Sequence, residues 1–193
     1  DGNDRTAVCC LSSLNLETYE EWKDQPNFIE DVMRFLDNVL TDFINRAPDS
    51  FKDAKYSAMR ERSVGLGVMG LHSFLQKKSI PLESVMSKTW NNKIFKHIQT
   101  QADEASKKLS KERGACPDAE EYGFNERFSN KTAIAPTASI SIICGGASPG
   151  IEPVAANSYT HKTLSGSYNV RNRYLKKVLE KYGKNNEETW STI

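Results

Sequence analysis

The sequence predicts an α/β fold in which helices outnumber strands. Short apolar runs, with the length of buried strands, alternate along the chain with segments whose apolar residues recur at helical spacing. Such alternation favours parallel strands that are connected by helices. The helical segments are much the longer ones, which is why helices should contain most of the ordered residues.

The first predicted strand is the apolar run 6–11, and an acidic helical segment follows it. The strongest amphipathic helix begins after Pro26 and ends at Pro48, because proline suits the first turn of a helix but not its interior. The apolar stripe of this helix comprises Phe28, Val32, Leu36, Val39 and Phe43, flanked by Ile29, Met33, Leu40 and Ile44.

Residues 51–62 predict a charged helix, and residues 64–71 predict a buried strand that turns into a helix through Leu75. Residues 84–113 predict a long helix, for which Gly114 is placed as the stop. Residues 123–130 and 145–153 predict loops, and residues 132–135 predict a strand. Residues 137–144 form a small, hydroxyl-rich apolar run, and residues 174–182 predict a short basic helix.

The composition excludes several classes of protein. The 193 residues, about one domain, include 26 Lys+Arg and 25 Asp+Glu, which gives a net charge of +1. This balance argues against a nucleic-acid polymer as partner and against a polybasic membrane anchor. No apolar stretch is long enough to span a membrane, and the start lacks a secretory signal pattern. We therefore expect a cytoplasmic protein without a membrane partner.

The four cysteines are Cys9, Cys10, Cys116 and Cys144. None forms a C-x-x-C pair and no histidine lies at zinc spacing, so no metal site is predicted. In a reducing cytoplasm the thiols should be mostly free. Cys9 and Cys10 would point to opposite faces of a strand and should not pair with each other. A buried, inert thiol is the commoner interpretation of Cys9, because a redox role needs a partner cysteine on a neighbouring strand.

Gly65, Gly67 and Gly70 match the dinucleotide-binding pattern G-x-G-x-x-G. That chemistry needs an apolar strand directly before the first glycine, whereas residues 60–63 are charged and polar. Glycines that allow a close approach of two backbones are therefore the favoured interpretation.

Residues 135–141 are more informative. The predicted strand ends at Pro136, and small or hydroxyl-bearing residues follow at once. Backbone N–H groups together with Thr and Ser hydroxyls suit a phosphate group, and small side chains let an anion approach. Thr137 or Ser139 could equally be an ordinary helix cap, and the residues alone leave both interpretations open.

The histidines show no catalytic pattern, and no Ser–His–Asp order is present. Packing or surface positions are expected for His72, His97 and His161.

Four segments of the chain match one family in order and spacing. They are 7–16 (AVCCLSSLNL), 62–71 (RSVGLGVMGL), 134–141 (IAPTASIS) and 148–153 (SPGIEP), with 159–166 (YTHKTLSG) just after them. Together they cover most of the chain and resemble the large catalytic subunit of class I ribonucleotide reductase.

The resemblance implies a ten-stranded α/β barrel that consists of two five-stranded halves. Residues 1–193 are then expected to be a single partial domain, most of the C-terminal half-barrel, with five parallel strands and helices in the majority. The motif glycines would be packing glycines of this barrel. The face built to meet the other half would be exposed.

The implied activity is the reduction of ribonucleoside diphosphates to deoxyribonucleotides by thiyl-radical chemistry. Cys9 matches a redox-active cysteine that pairs with a thiol far upstream, whereas Cys10 falls where the family varies. The diphosphate would be held by the residues that match the family's loop: Thr137, Ala138, Ser139 and Ile140. The chain itself would bind no cofactor. The family uses a radical from a metal-containing small subunit and a reductant of thioredoxin or glutaredoxin type.

Several family features are absent from the sequence. The radical-forming cysteine, in an Asn-x-Cys-x-Glu setting, would precede residue 1, and the radical-relaying tyrosines would follow Ile193. We therefore expect a fragment that is inactive without the rest of the large subunit and the radical-generating small subunit. Two alternatives remain: a helical interaction module that binds a partner through the stripe 28–44, and a small nucleotide-binding oxidoreductase built on residues 65–70.

Overall fold

A computed structural model describes residues 2–193, in which helices contain far more residues than strands, as predicted. The helices are α1 (Tyr19–Trp22), α2 (Phe28–Arg46), α3 (Lys52–Glu61), α4 (Leu71–Lys77), α5 (Val85–Arg113), α6 (Pro117–Glu121), α7 (Ile140–Ile143), α8 (Arg173–Lys181) and α9 (Glu187–Ser191). The strands are β1 (Leu11–Asn15), β2 (Gly65–Met69), β3 (Ser158–Thr163) and β4 (Gly166–Arg171). In this part of the chain no helix is both long and apolar enough to cross a membrane.

The strands form two separate sheets. β1 and β2 are a parallel pair that begins with Leu11 opposite Gly65, and β3 and β4 are an antiparallel hairpin. A third segment joins the other edge of β2. The Leu66 amide donates a 2.9 Å hydrogen bond to the Lys131 carbonyl, and Thr132 forms an isolated parallel bridge with Leu66. The carboxyl ends of β1, β2 and the segment 131–133 therefore lie on the same side of the sheet.

The expected five parallel strands are not confirmed, since residues 2–193 contain two parallel strands and one isolated parallel bridge. The predicted strand 6–11 is placed wrongly, because β1 begins only at Leu11, where β2 lies alongside it. Earlier in the chain, the Thr6 amide donates to the Asp53 carbonyl, so this segment contacts α3 and not β2 at that point. The predicted strand 132–135 reduces to the one bridge, because a strand needs a paired neighbour.

The hydrophobic core lies between the parallel strands and the helices α2, α4 and α5. α5 begins at a side-chain cap, in which Ser84 Oγ accepts the Ser87 amide at 3.1 Å, and it ends at Gly114 as predicted. The core side chains of α2 and α5 are Ile29, Met33, Leu36, Leu40, Ile94, Ile98, Ala102, Ala105 and Leu109. Within the predicted stripe Leu36 is buried, whereas Val39 is 42% exposed. The predicted centre of the stripe is therefore wrong, because the face of α2 that packs against the core is formed by Leu36 and the flanking residues Ile29, Met33 and Leu40.

A buried carboxylate ties the amino ends of the parallel segments to α2. Asp37 is 0% exposed and accepts hydrogen bonds from Arg62 Nε (2.9 Å), Arg127 Nε (2.9 Å) and Arg113 Nη1 (2.7 Å). Burial acts to raise the pKa of Asp37. The hydrogen bonds from Arg127 and Arg113 and the charge of Arg62 outweigh burial and lower this pKa. Because Arg62 precedes β2 and Arg127 precedes the segment 131–133, this cluster links the start of both segments to α2.

Candidate functional site

Loops at the carboxyl ends of the parallel segments form the candidate site. Gly70 directly follows β2, and its amide donates to the Ser148 carbonyl at 2.7 Å. Ser73 and Ser148 bind each other twice: the Ser148 amide donates to Ser73 Oγ at 2.9 Å, and the Ser73 amide donates to Ser148 Oγ at 3.1 Å. Because Ser148 is fully buried, these bonds fix the loop 148–153 to the start of α4.

Thr137 holds the next loop against the same segment. It is buried, and its φ of +52° is uncommon for a β-branched residue. Thr137 Oγ1 accepts a hydrogen bond from the Gly150 amide at 2.7 Å. A Cβ on Gly150 would lie 2.9 Å from the Ala135 carbonyl oxygen, so this close approach requires glycine. The loop is therefore ordered by a polar contact and by backbone packing.

Ala138, Ser139 and Ile140 are the exposed part of this loop. α7 starts directly after Ser139, and no side chain caps it. The helix-cap interpretation of Thr137 and Ser139 is therefore wrong. The Thr137 hydroxyl is occupied by Gly150, and the Ser139 hydroxyl has no partner among residues 2–193. Within the same range, the amides of residues 138–140 have no acceptor either.

The far end of α7 is tied to β1 and α8. Asn15, the last residue of β1, donates from Nδ2 to the Cys144 carbonyl at 3.4 Å. Arg173 Nη1 donates to the Gly145 carbonyl at 2.7 Å, and the same guanidinium forms an ion pair with Glu17. Sequence reasoning misses Asn15 and Arg173, because Cys144 lies 129 residues from Asn15 and Glu17 lies 156 residues from Arg173, and no local pattern marks either residue.

Cys9 and Cys10 lie on the approach to β1. Cys9 is exposed and precedes β1, so the prediction of a buried position is wrong. Cys10 faces the other way, as predicted: its Sγ lies 3.7 Å from the Leu36 carbonyl oxygen, and burial raises the pKa of its thiol. Cys9 precedes Asn15 by six residues, which is about 20 Å in extended chain. No hydrogen bond joins Cys9 to residues 137–140 within the described range 2–193.

The glycine motif serves packing, as predicted. Gly65 and Gly67 lie within β2 and not after it, so the phosphate-binding turn of a dinucleotide site is not formed by them. A Cβ on Gly67 would lie 2.2 Å from the Ala133 carbonyl oxygen, and a Cβ on Gly65 would lie 2.9 Å from Ala133 Cβ. Gly70, with φ of +78°, packs as closely on Asn15. The dinucleotide alternative is wrong.

Two of the histidines have packing roles, in agreement with the sequence. His72 Nδ1 accepts the Val154 amide at 3.1 Å, and burial lowers the pKa of this histidine. His97 Nδ1 lies 3.2 Å from the Tyr19 hydroxyl, and burial lowers its pKa as well. His161 lies in β3. Across residues 2–193, no three His, Cys, Asp or Glu side chains are grouped so that they could hold a metal ion.

Comparison with known proteins finds a matching family model and similar sequences. A family model described as "Ribonucleotide reductase, barrel domain" matches residues 1–127 and 117–193. The chain is 50% identical over 191 residues to the ribonucleoside-diphosphate reductase large subunit of Invertebrate iridescent virus 6, which covers 98% of this chain and 20% of that protein. It is 45% identical over 192 residues to the same subunit of Invertebrate iridescent virus 3, which covers 98% and 30%.

A solved structure agrees with the sequence comparisons. The Actinobacillus ureae class Id ribonucleotide reductase alpha subunit matches this chain with a TM-score of 0.88 and 37% identity, over 100% of this chain and 35% of its own. The chain thus spans between a fifth and about a third of the length of these relatives. From the family match, the sequence identities and the shared fold, we conclude that the chain belongs to the ribonucleotide reductase barrel-domain family.

Proposed function

We propose that this chain works as part of a ribonucleoside-diphosphate reductase large subunit, which reduces ribonucleotides to deoxyribonucleotides. The observation that supports this best is the meeting of three separate motifs, in residues 65–71, 134–141 and 148–153, at one loop cluster. The cluster lies at the carboxyl ends of parallel segments, where α/β folds bind their ligands. The matched viral relatives carry this name.

The substrate diphosphate binds at residues 137–140 in this proposal. Thr137 contributes by fixing the loop, because its hydroxyl already accepts the Gly150 amide. Ser139 offers its hydroxyl, and the amides of residues 138–140 are hydrogen-bond donors without an internal acceptor in the described chain. Donors of this kind stabilise an anion without a full positive charge, which fits the near-neutral composition of the chain.

Cys9 acts as one of two reducing thiols. Replacing a ribose hydroxyl by hydrogen, with release of water, needs two electrons and two protons, and two thiols supply both when they become a disulfide. Cys9 is exposed and can meet a thiol of another segment, whereas the Cys10 thiol packs against Leu36. A thioredoxin- or glutaredoxin-type protein then reduces the disulfide, and a metal-containing small subunit supplies the radical that starts the reaction.

The exposed apolar side chains of the loop cluster support a partner that covers them. Each is at least 40% exposed, and they are Ile134, Ile140, Ile142, Ile143 and Ile151. Concentrated apolar surface of this kind marks an interface. We assign this interface to the rest of the large subunit, which would complete the five-stranded half and its barrel in the cytoplasm.

Pyrophosphate, the simplest diphosphate, tests the loop assignment. We expect isothermal titration of the chain to show binding that falls about tenfold or more in a Thr137→Ala/Ser139→Ala double variant, because both the fixed loop and a donor are lost. A Thr163→Ala/Ser165→Ala double variant removes the same two groups from the exposed hairpin tip and should bind like the parent. Equal affinity in the parent and the Thr137/Ser139 variant would refute the assignment.

The assignment of Cys9 has its own test. Under oxidising conditions, with the segment of the large subunit that carries the partner thiol, the parent and a Cys10→Ser variant should form the cross-chain disulfide. A Cys9→Ser variant should not form it, because the half-buried Cys10 thiol packs against the hydrophobic core. Mass spectrometry of the non-reduced peptides identifies the linked cysteine. Equal cross-linking in the Cys9→Ser variant would show that Cys9 is not the redox-active thiol.

A further inference from the structure

One guanidinium links the far end of α7 to the end of β1. The carbonyls at a helix C-terminus have no partner within the helix, and here the Gly145 carbonyl accepts Arg173 Nη1 at 2.7 Å. Arg173 Nη2 donates to both carboxylate oxygens of Glu17, two residues after β1. The Glu17 amide in turn donates to Asn15 Oδ1 at 3.0 Å. Arg173 thus joins α7 to β1 across 156 residues of sequence.

The carboxylate that holds Arg173 is itself well enclosed. The Glu17 side chain is 12% exposed, and the Tyr174 hydroxyl donates a second hydrogen bond to it. Burial, together with this contact to Glu17, raises the pKa of Tyr174 to about 12, so the tyrosine stays a donor at neutral pH. The Arg173 fork therefore has a fixed anchor on one side and the Gly145 carbonyl on the other.

Hydrophobic packing cannot orient α7 in the same way. The helix is a single turn of four residues, and three of them, Ile140, Ile142 and Ile143, are exposed. The near end is held by the Thr137–Gly150 hydrogen bond. The far end is held by Arg173, by the Ala147 amide, which donates to the Ser141 carbonyl at 3.0 Å, and, through a longer contact of 3.4 Å, by Asn15.

We propose that Arg173, anchored by Glu17, is a positioning residue that orients the loop 137–140 for a diphosphate. This inference rests on the function proposed above for that loop. Arg173 acts through the Gly145 carbonyl and not by touching the ligand. Its role depends on the fork shape of the guanidinium, because a lysine ammonium is a point charge without that fixed geometry.

Two roles of Arg173 predict opposite effects of a change at Glu17. If Arg173 only attracted an anion by its charge, Glu17→Gln would remove a competing negative charge and tighten binding. If Arg173 positions the loop, Glu17→Gln frees the guanidinium from its anchor and weakens binding. The sign of the change therefore separates positioning from simple attraction.

The experiment is isothermal titration of the chain with pyrophosphate. We expect Glu17→Gln and Arg173→Gln each to weaken binding by about three- to tenfold, and the double variant to be no worse than either alone. Arg173→Lys should not restore the affinity. Arg171→Gln is the matched control, since it removes an equal charge two residues away, from a pair with the exposed Glu187, and should change binding by less than about twofold.

A second readout follows the loop without a ligand. Hydrogen exchange of the amides of residues 144–147 should speed up in Glu17→Gln and Arg173→Gln and stay unchanged in Arg171→Gln. Tighter binding in Glu17→Gln, full rescue by Arg173→Lys, or unchanged exchange in Glu17→Gln would each overturn the positioning role. A parent chain that binds no pyrophosphate would overturn the proposed function, and with it any role of Arg173 in binding. A parent chain that binds pyrophosphate, with equal affinity in Glu17→Gln and Arg173→Gln, would overturn the positioning role alone.

Discussion

The first two thirds of the chain and the last third are held together by different forces. In the packed region, residues 11–128, apolar side chains form one continuous core that runs from Leu14 to Phe128. In the loop region, residues 134–193, the buried hydrophobic side chains are Ala147 and Trp190, within the described chain. The loop region is fixed mainly by hydrogen bonds, such as those at Thr137 and Ser148.

This difference separates the structural support from the binding surface. A core of this size contributes most of the stability, because each buried aliphatic side chain adds about 1.5–3 kcal/mol. A single hydrogen bond contributes only about 0.5–1.5 kcal/mol, so the loop region can change its contacts at little cost. We therefore expect substitutions in the packed region to change the free energy of unfolding, and substitutions in the loop region to change ligand affinity.

The largest expected effect lies in the buried charge cluster of the packed region. Asp37→Asn would leave Arg62 and Arg127 without their carboxylate and should lower the free energy of unfolding by about 3–5 kcal/mol, measured by urea denaturation. Asp42→Asn, five residues along α2, breaks a 3.5 Å pair with the exposed Arg46 and should cost less than about 0.5 kcal/mol. Similar losses in both variants would show that the cluster is not an anchor.

The same cluster gives a pH dependence with a defined sign. The pKa of Asp37 is lower in the folded chain than its ordinary value near 3.8. Its contribution is therefore complete above that value and is lost as the pH falls through the lower folded pKa. The free energy of unfolding, measured by urea denaturation, should fall less from pH 7 to pH 3 in Asp37→Asn than in the parent. An equal fall in both proteins would show that Asp37 does not contribute to acid sensitivity.

One chemical change made in both regions sharpens the comparison. Ile94, which is 0% exposed, lies in the core, and Ile143 is 81% exposed on α7. Ile94→Ala should lower the free energy of unfolding by about 2–5 kcal/mol, whereas Ile143→Ala should change it by less than about 0.5 kcal/mol. Chemical denaturation of both variants measures the difference, and equal losses would break the division into two regions.

The glycines of β2 give a smaller expected effect. Gly67→Ala places a Cβ 2.2 Å from the Ala133 carbonyl oxygen and should cost about 1–3 kcal/mol as the neighbouring segment shifts. Gly65→Ala meets Ala133 Cβ at 2.9 Å and should cost less. Thermal unfolding ranks the two variants. A neutral Gly67→Ala variant that loses affinity for a dinucleotide would instead restore the cofactor-binding alternative.

The smallest expected effect concerns the contact between α4 and the loop region. Burial lowers the pKa of His72, whose Nδ1 accepts the Val154 amide. The unfolded chain therefore binds a proton more readily, and this contribution is complete above pH 6.5 and is lost as the pH falls below it. The protection factor of the Val154 amide, which is its intrinsic exchange rate divided by its observed rate, should therefore fall from pH 7 to pH 5. In His72→Gln, whose side-chain oxygen keeps an acceptor, the fall in protection should be smaller, and an identical fall would exclude His72 as its cause.

Local patterns in the sequence predict the helices of the packed region. α2 and α5 follow from apolar residues at helical spacing, and Gly114 marks the end of α5 because it takes a φ that favours glycine. The close packing of Gly67 also follows, since a charged segment precedes the motif and rules against a cofactor turn. In each case the residues that decide the prediction lie within a few positions of the pattern.

Contacts between distant residues explain what the sequence does not predict. β1 begins five residues later than the predicted strand, because only its pairing with β2 decides where it starts. The hairpin of β3 and β4 is mostly exposed on both faces, so it lacks the apolar alternation that signals a strand. The partners of Asp37 and Arg173 are far apart in sequence, and only the fold brings them together.

The central claim is that residues 138–140 of the loop region bind a diphosphate. Titration of the isotope-labelled chain with pyrophosphate, followed by amide NMR, tests this claim most directly because it reports where the ligand binds. We expect saturable shifts that are largest for the amides of Ala138, Ser139 and Ile140, with the core amides of α2 unchanged. No shift at these three amides, or larger shifts along the lysine-rich helix α8, would contradict the claim.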